Sequence, residues 1–381
     1  MAQPGKNTYI TKLSPRAAKP GPLENIPISL KDCFDLEGTV TTLGSRFYAQ
    51  HNPIAEKNSW VAQRLFDLGA TIPGKTHLHQ LAYGITGENR DYGDCLQPLH
   101  PELLTGGSSS GAAASLQEGS AHVAIGTDTG GSIRIPAALC GLAGYRTSHA
   151  LNTEALWAGG HHLAPSFDTL GILFPNLRDA QFLAHHIFDI PRTAAPTNLR
   201  IGYLPTDYLH DCTPEVLTSY EATRQLLTQH GATLTPIDAR FWQEAPQIYS
   251  PIVASEAAAI HRGYYQHFEP ILTERLTAGA ALTAEELTRT RRRLADFRTE
   301  MSALFETQDL LIAPCAPIHQ LIAGEDHTES RKAILRYTTP ASLAGLPAIT
   351  IPGKPHGTGT QLLAAPNQDA LLVAFAAQLT T

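Results

Sequence analysis

An α/β layered architecture is expected of this chain on three grounds. Short apolar runs bounded by turn residues alternate with segments of helical spacing from Ile26 onward. Hydrophobic residues fill 43% of the 381 positions and charged ones 17%, enough for a large core and too apolar for disorder. No internal repeat or low-complexity tract breaks the alternation, and one domain over 1–381 is an ordinary length for an α/β enzyme.

The elements follow in order. Residues 1–25 are rich in Pro, Lys and Gly and read as an extended N-terminal arm. A strand is expected over 26–30, then a helix over 59–68 stopped by Gly69. Residues 112–117 start a helix of small side chains, and 122–126 form the next strand. Further short apolar runs lie at 199–204, 232–237 and 309–313. Between about 206 and 308 the pattern is mostly helical, either a substrate-facing cap or outer-layer helices. Inside it, Thr283-Ala284-Glu285-Glu286 makes a capping box that opens a helix running to Phe305. The basic run Arg291-Arg292-Arg293 reads as a solvated face of that helix.

The chemistry concentrates in two glycine–serine clusters. The first is Gly106-Gly107-Ser108-Ser109-Ser110-Gly111. The second is Gly126-Thr127-Asp128-Thr129-Gly130-Gly131-Ser132, continuing Ile133-Arg134-Ile135-Pro136-Ala137. Each offers a hydroxyl where glycine lets the backbone bend and peptide N–H groups crowd one point. A nucleophilic serine needs that setting, with oxyanion donors and a base close by. Upstream, Ile26-Pro27-Ile28-Ser29-Leu30-Lys31-Asp32 puts a lysine at the end of an apolar run. These parts suffice for a hydrolytic site without histidine.

The pair of clusters, with Ser132 placed 24 residues after Ser108, resembles the signature of the amidase signature family. Segments 21–32, 74–89, 165–171 and 343–348 are similar to other stretches of that family, so the likeness spans 20–180 and 305–380. It implies a mixed, twisted central β-sheet with helices on both faces. It also implies a triad of Ser132 as nucleophile, Ser108 on a cis peptide bond as proton relay, and Lys31 as base. The backbone N–H groups of Thr129, Gly130, Gly131 and Ser132 would form the oxyanion hole. Lys31 must then be neutral at rest, which burial beside Ile28 and Leu30 would favour. The reaction implied is hydrolysis of a small-molecule carboxylic amide through an acyl-enzyme, releasing ammonia or an amine, with no metal or organic cofactor. Two other readings share the fold. One is the A subunit of a tRNA-dependent glutamine amidotransferase. The other is a catalytically silent binding or scaffold protein, against which the presence of all three triad positions argues. Family members usually carry a longer helical region before the lysine segment, so pocket walls or dimer contacts drawn from it are expected to differ here.

Several patterns compete with this assignment. Gly69-Ala70-Thr71-Ile72-Pro73-Gly74-Lys75-Thr76 fits the Walker A letters, but a phosphate loop needs a strand before it and a helix after it. Here a helix precedes Gly69, so no nucleotide site at Lys75 is expected. Gly107-Ser108-Ser109-Ser110-Gly111 fits a nucleophile elbow centred on Ser109, yet 101–105 is a poor strand to precede one. Among 17 histidines, His77 and His79 or His161 and His162 invite a metal, without a third ligand at convincing spacing. Trp157, His161 and His162 are candidates for the substrate pocket, with an exposed loop as the equal alternative. Cys33 beside Lys31 is not taken as a nucleophile. Asp128, Arg134 and Asp168 are expected to brace the glycine loop rather than touch substrate.

Charge and targeting exclude other classes. The net charge of −7 argues against a nucleic-acid partner. Five scattered cysteines fit reduced thiols in a cytoplasmic protein. The N-terminus lacks the apolar core of a signal peptide, and no apolar run reaches the ~20 residues of a membrane span. A homodimer is left open.

Overall fold

Eleven strands hydrogen-bond into one mixed sheet. The structure, a computed structural model, describes residues 7–14 and 19–379. The strands are β1 (Tyr9–Lys12), β2 (Ile28–Lys31), β3 (Gly74–Thr76), β4 (Val123–Asp128), β5 (Ala143–Arg146) and β6 (Thr169–Phe174). They continue as β7 (Arg200–Tyr203), β8 (Thr233–Pro236), β9 (Leu310–Pro314), β10 (Ala348–Pro352) and β11 (Gly359–Ala364). Their order across the sheet is β1-β3-β2-β4-β6-β5-β10-β11-β9-β7-β8. β2 runs parallel to β3 and β4, and β7 runs parallel to β8 and β9. The remaining pairs are antiparallel.

Every residue of β2, β4, β5, β6 and β9 is buried, as in a sheet covered by helices on both faces. The two edge strands, β1 and β8, are the exposed ones. The N-terminal arm is thus partly sheet: β1 pairs with β3, while 1–6 and 15–18 lie outside the described residues.

Local chemistry sets the helix ends. Ser59 accepts from the Ala62 N–H to open the helix Trp60–Asp67, and Gly69 at φ +88° lets the chain leave it. The capping box is formed: the Glu286 N–H donates to Thr283 Oγ1 (3.2 Å), and the Thr283 N–H donates to Glu286 Oε2 (2.8 Å). That helix runs Ala284–Thr307. The mostly helical stretch divides in two. Pro214–Gln229 packs on β8, β9 and β11 as an outer layer. Ala245–Ile260 packs instead on Pro270–Ala281 and Thr328–Leu343, and its Tyr249 reaches the cavity described next.

Candidate active site

The site grows from the carboxyl ends of two adjacent parallel strands, where open α/β sheets leave a crevice. Lys31 is the last residue of β2, and Thr127 lies near the end of β4 beside it. Lys31 Nζ donates to Ser108 Oγ (2.8 Å) and to Thr127 Oγ1 (2.7 Å). Its surroundings are dry: Lys31, Ile28, Leu30 and Ser108 are all fully buried. Burial, countered only in part by the thiol of Cys33 and the carboxylates of Asp168 and Asp128, lowers the Lys31 pKa from 10.5 to about 8. The Gly107–Ser108 peptide is cis, and the helix Ser110–Gln117 starts two residues later.

Ser132 sits in the turn between β4 and the helix Arg134–Leu139. The second glycine–serine cluster is wrapped around one carboxylate. Asp128 Oδ1 accepts from the Gly131 N–H (2.9 Å) and from Arg146 Nη1 (2.8 Å); Oδ2 accepts from the Ile133 N–H (3.1 Å) and Arg134 Nε (3.0 Å). Burial alone would raise the Asp128 pKa, but Arg134 and Arg146 outweigh it and hold the carboxyl well below its usual range. Arg134 is tied further to Gln361 Oε1 (2.7 Å) and the Thr338 carbonyl (2.9 Å). Asp168 does the same for the other flank, accepting from Thr129 Oγ1 (2.6 Å) and the Leu163 N–H (2.9 Å). Asp128, Arg134 and Asp168 therefore brace the loop. At Gly131, φ is +122° and a Cβ would meet the Thr338 side chain at 2.8 Å, so only glycine fits.

A cavity of about 310 Å³ opens at Ser132 and is lined also by Thr129, Gly130, Tyr83, Tyr249 and Arg331. Gly131 is not in its wall, and its N–H is already given to Asp128. Of the expected oxyanion donors, Thr129, Gly130 and Ser132 face the cavity and Gly131 does not. Trp157, His161 and His162 are not among the residues that line it. His162 Nδ1 is 2.9 Å from Asp168 Oδ2 and its ring stacks on Trp157 at 4.0 Å; His161 Nε2 is 3.1 Å from Asp35 Oδ1.

The competing patterns are used elsewhere. Lys75 lies in β3, with the helix before Gly69 and the strand after it, the reverse of a phosphate loop. Its Nζ is buried against Asp32 Oδ1 at 2.6 Å. Ser109 Oγ, fully buried, donates to the Thr127 carbonyl (3.2 Å). His77 bonds Ser110 Oγ (2.8 Å) while His79 meets Glu269 (3.2 Å), and no metal-holding group of three or more such side chains occurs among the described residues. Cys33 is buried and its thiol is pushed up to about 12, a poor nucleophile. Sequence reasoning missed Thr127, Tyr83, Tyr249 and Arg331. Thr127 was in plain view two residues before Thr129; the other three carry no motif.

Comparison with known proteins completes the picture. The family model described as Amidase matches residues 8–373. The chain is 30% identical over 384 residues to AtzE, a component of the 1-carboxybiuret hydrolase of Pseudomonas sp. (strain ADP), covering 92% of this chain and 82% of that one. It is 31% identical to the A subunit of the Glutamyl-tRNA(Gln) amidotransferase of Synechococcus sp. (strain RCC307), covering 94% and 83%. With the 2-amino-5-chloromuconic acid deaminase of Comamonas testosteroni it shares 29% identity over 93% of this chain and 81% of the relative. A crystal structure described as an amidase superposes with a TM-score of 0.85 at 30% identity, covering 94% of this chain and 85% of that one.

Proposed function

The chain belongs to the amidase signature family and is an amide hydrolase, and we propose that it cleaves a small carboxylic amide with Ser132 as nucleophile, Ser108 as relay and Lys31 as base. The observation that carries this reading is the 2.8 Å contact between Lys31 Nζ and Ser108 Oγ, made by a lysine that burial has brought to a pKa of about 8. Neutral Lys31 takes the Ser108 proton, Ser108 takes that of Ser132, and Ser132 Oγ attacks the amide carbon. The oxyanion is met by the N–H groups of Thr129, Gly130 and Ser132; Gly131 holds the turn through Asp128. The protonated lysine returns its proton through Ser108 to the leaving nitrogen, and water then cleaves the ester. Of Trp157, His161 and His162, His162 connects to the site through Asp168, which in turn holds Thr129, while Trp157 stacks on the His162 ring and His161 meets Asp35.

A second reading, the A subunit of a glutamine amidotransferase, draws on the relatives that carry that name. Among the described residues no helix is long and apolar enough to cross a membrane, and all five cysteines are free thiols, which supports a cytoplasmic enzyme.

Intact-mass analysis during turnover of an amide panel tests the proposal. An acyl adduct on Ser132, released as the hydroxamate by hydroxylamine, is expected. Ammonia release without any serine adduct, or unchanged in Ser132→Ala, overturns it. Turnover of glutamine alone among the amides would move the case to the second reading.

A further inference from the structure

Three polar groups on the wall of the Ser132 cavity hold hydrogens that the chain does not use. Arg331, on the helix Thr328–Leu343, lines that cavity and both neighbouring clefts of about 900 and 670 Å³. Among the described residues its half-buried guanidinium forms no ion pair and no hydrogen bond. Its electrostatic neighbours are the phenols of Tyr83 and Tyr249, buried residues whose hydroxyls also lack a partner there.

A second cation makes the imbalance larger. Arg275, on Pro270–Ala281, stands close enough to Arg331 for the two charges to oppose each other, and it spends Nη1 on the Tyr83 carbonyl (3.0 Å). The carboxylates of the outer cleft are engaged with other groups. Glu269 meets His79 (3.2 Å), Asp326 accepts from the Thr328 N–H (2.9 Å) and Glu88 accepts from Thr86 Oγ1 (2.6 Å). The fully buried arginines show the contrast: Arg134 and Arg146 share Asp128 at 2.8 Å each. A guanidinium withdrawn from water beside a like charge is unfavourable unless an anion completes it. Its planar fork matches a carboxylate.

We propose that Arg331, with the hydroxyls of Tyr83 and Tyr249, binds a carboxylate carried by the substrate, so that the enzyme selects anionic amides over neutral ones. The inference rests on the reading of Ser132 as the nucleophile of the same cavity. Because Ser132 and Arg331 line one cavity, a substrate bridging them is short, such as the monoamide of a short dicarboxylic acid. The amide carbon lies at Ser132 and the acid at Arg331. Arg331 is then a specificity residue, acting on binding rather than on proton transfer.

Calorimetric titration of the full-length Ser132→Ala protein separates binding from turnover. The probes are succinamate and glutaramate against butyramide and valeramide, neutral amides of matching length. The anions are expected to bind tighter by roughly tenfold or more, as charge-assisted hydrogen bonds require. Arg331→Gln in the same background should bring the two classes to parity, and Arg331→Lys should recover part of the preference. Equal or undetectable binding of the two classes, or a preference unchanged by Arg331→Gln in protein with an unchanged melting curve, overturns the proposal. Because binding is read without catalysis, a failure of the hydrolase reading would show separately, as missing Ser132 acylation in the wild-type protein.

Discussion

Lys31 and Lys75 stand on neighbouring parallel strands, β2 and β3, and neither side chain reaches solvent. Their partners differ. Lys75 has the carboxylate of Asp32 at 2.6 Å, which in turn accepts from Thr42. Lys31, one residue before that aspartate, meets only the hydroxyls of Ser108 and Thr127. A buried ammonium with a counterion is a structural ion pair, whereas one given hydroxyls alone is driven toward its neutral form. The same residue type in the same layer is thus held as an ion-pair brace in one strand and, in the next, in the setting that the proposed base requires. The same geometry shows that the Walker-like letters around Lys75 do not build a phosphate loop.

The sharpest way to break the contrast is at Ser132, the proposed nucleophile that Lys31 would activate through Ser108. Ser132→Ala should lower kcat on the order of 10⁴-fold or more without moving the melting temperature. A folded Ser132→Ala protein with near-normal turnover would remove the reason to call Lys31 a base. Next in size is Lys31→Met, expected to cut kcat on the order of 10³-fold, the range of a lost general base. Its effect on stability should have the opposite sign. Burial leaves folded Lys31 deprotonated above about 8, while the unfolded lysine binds its proton up to 10.5. Wild-type stability therefore rises with pH across that window, and Lys31 is a net cost below it. Urea titrations at pH 7 should find Lys31→Met no less stable than wild type, gaining up to about 3 kcal/mol. The slope between pH 8 and 10 should vanish in the variant.

Lys75→Met should behave in the reverse manner. It leaves Asp32 buried without a counterion and should destabilise the fold by about 3–5 kcal/mol, with part recovered by adding Asp32→Asn. The protein that remains folded should keep kcat within a few-fold; a collapse of the chemical step would reopen a direct role for Lys75. The mildest effect is on pH dependence. The kcat/KM of the wild type should climb with pH to a midpoint near 8, where Lys31 loses its proton. Below it each pH unit should cost about tenfold. Lys31→Met should flatten that limb.

Much of this was legible before any coordinates. The strand expected over 26–30, found at 28–31, the helix stopped by Gly69 and the capping box at Thr283 all follow from local rules. The clusters around Ser108 and Ser132 are local as well, so their residues could be picked out directly. What escaped has physical reasons. β5 and β6, for which no strand is expected from the sequence, contain Gly144 and Gly171, residues that weaken a strand pattern. In the fold they sit where strands and a helix press together: a Cβ at Gly171 would meet the Tyr145 carbonyl at 2.4 Å. β3 is three residues long, too short for any periodicity. The direction of the Gly131 N–H was hidden because it depends on Asp128 folding back under the loop. Tyr83, Tyr249 and Arg331 come from three distant segments: the packing of Ala245–Ile260 against Thr328–Leu343 joins the last two, and Arg275 on Pro270–Ala281 ties in Tyr83 through its carbonyl.

Ser132 is proposed as a nucleophile made reactive by Lys31. Labelling with a fluorophosphonate, followed by peptide mapping, tests it most directly when wild type and Lys31→Met are run together. A single adduct on Ser132 that forms far more slowly without Lys31 is the predicted result. An adduct on Ser109, or a Ser132 adduct that forms equally fast in the Lys31→Met protein, would contradict it.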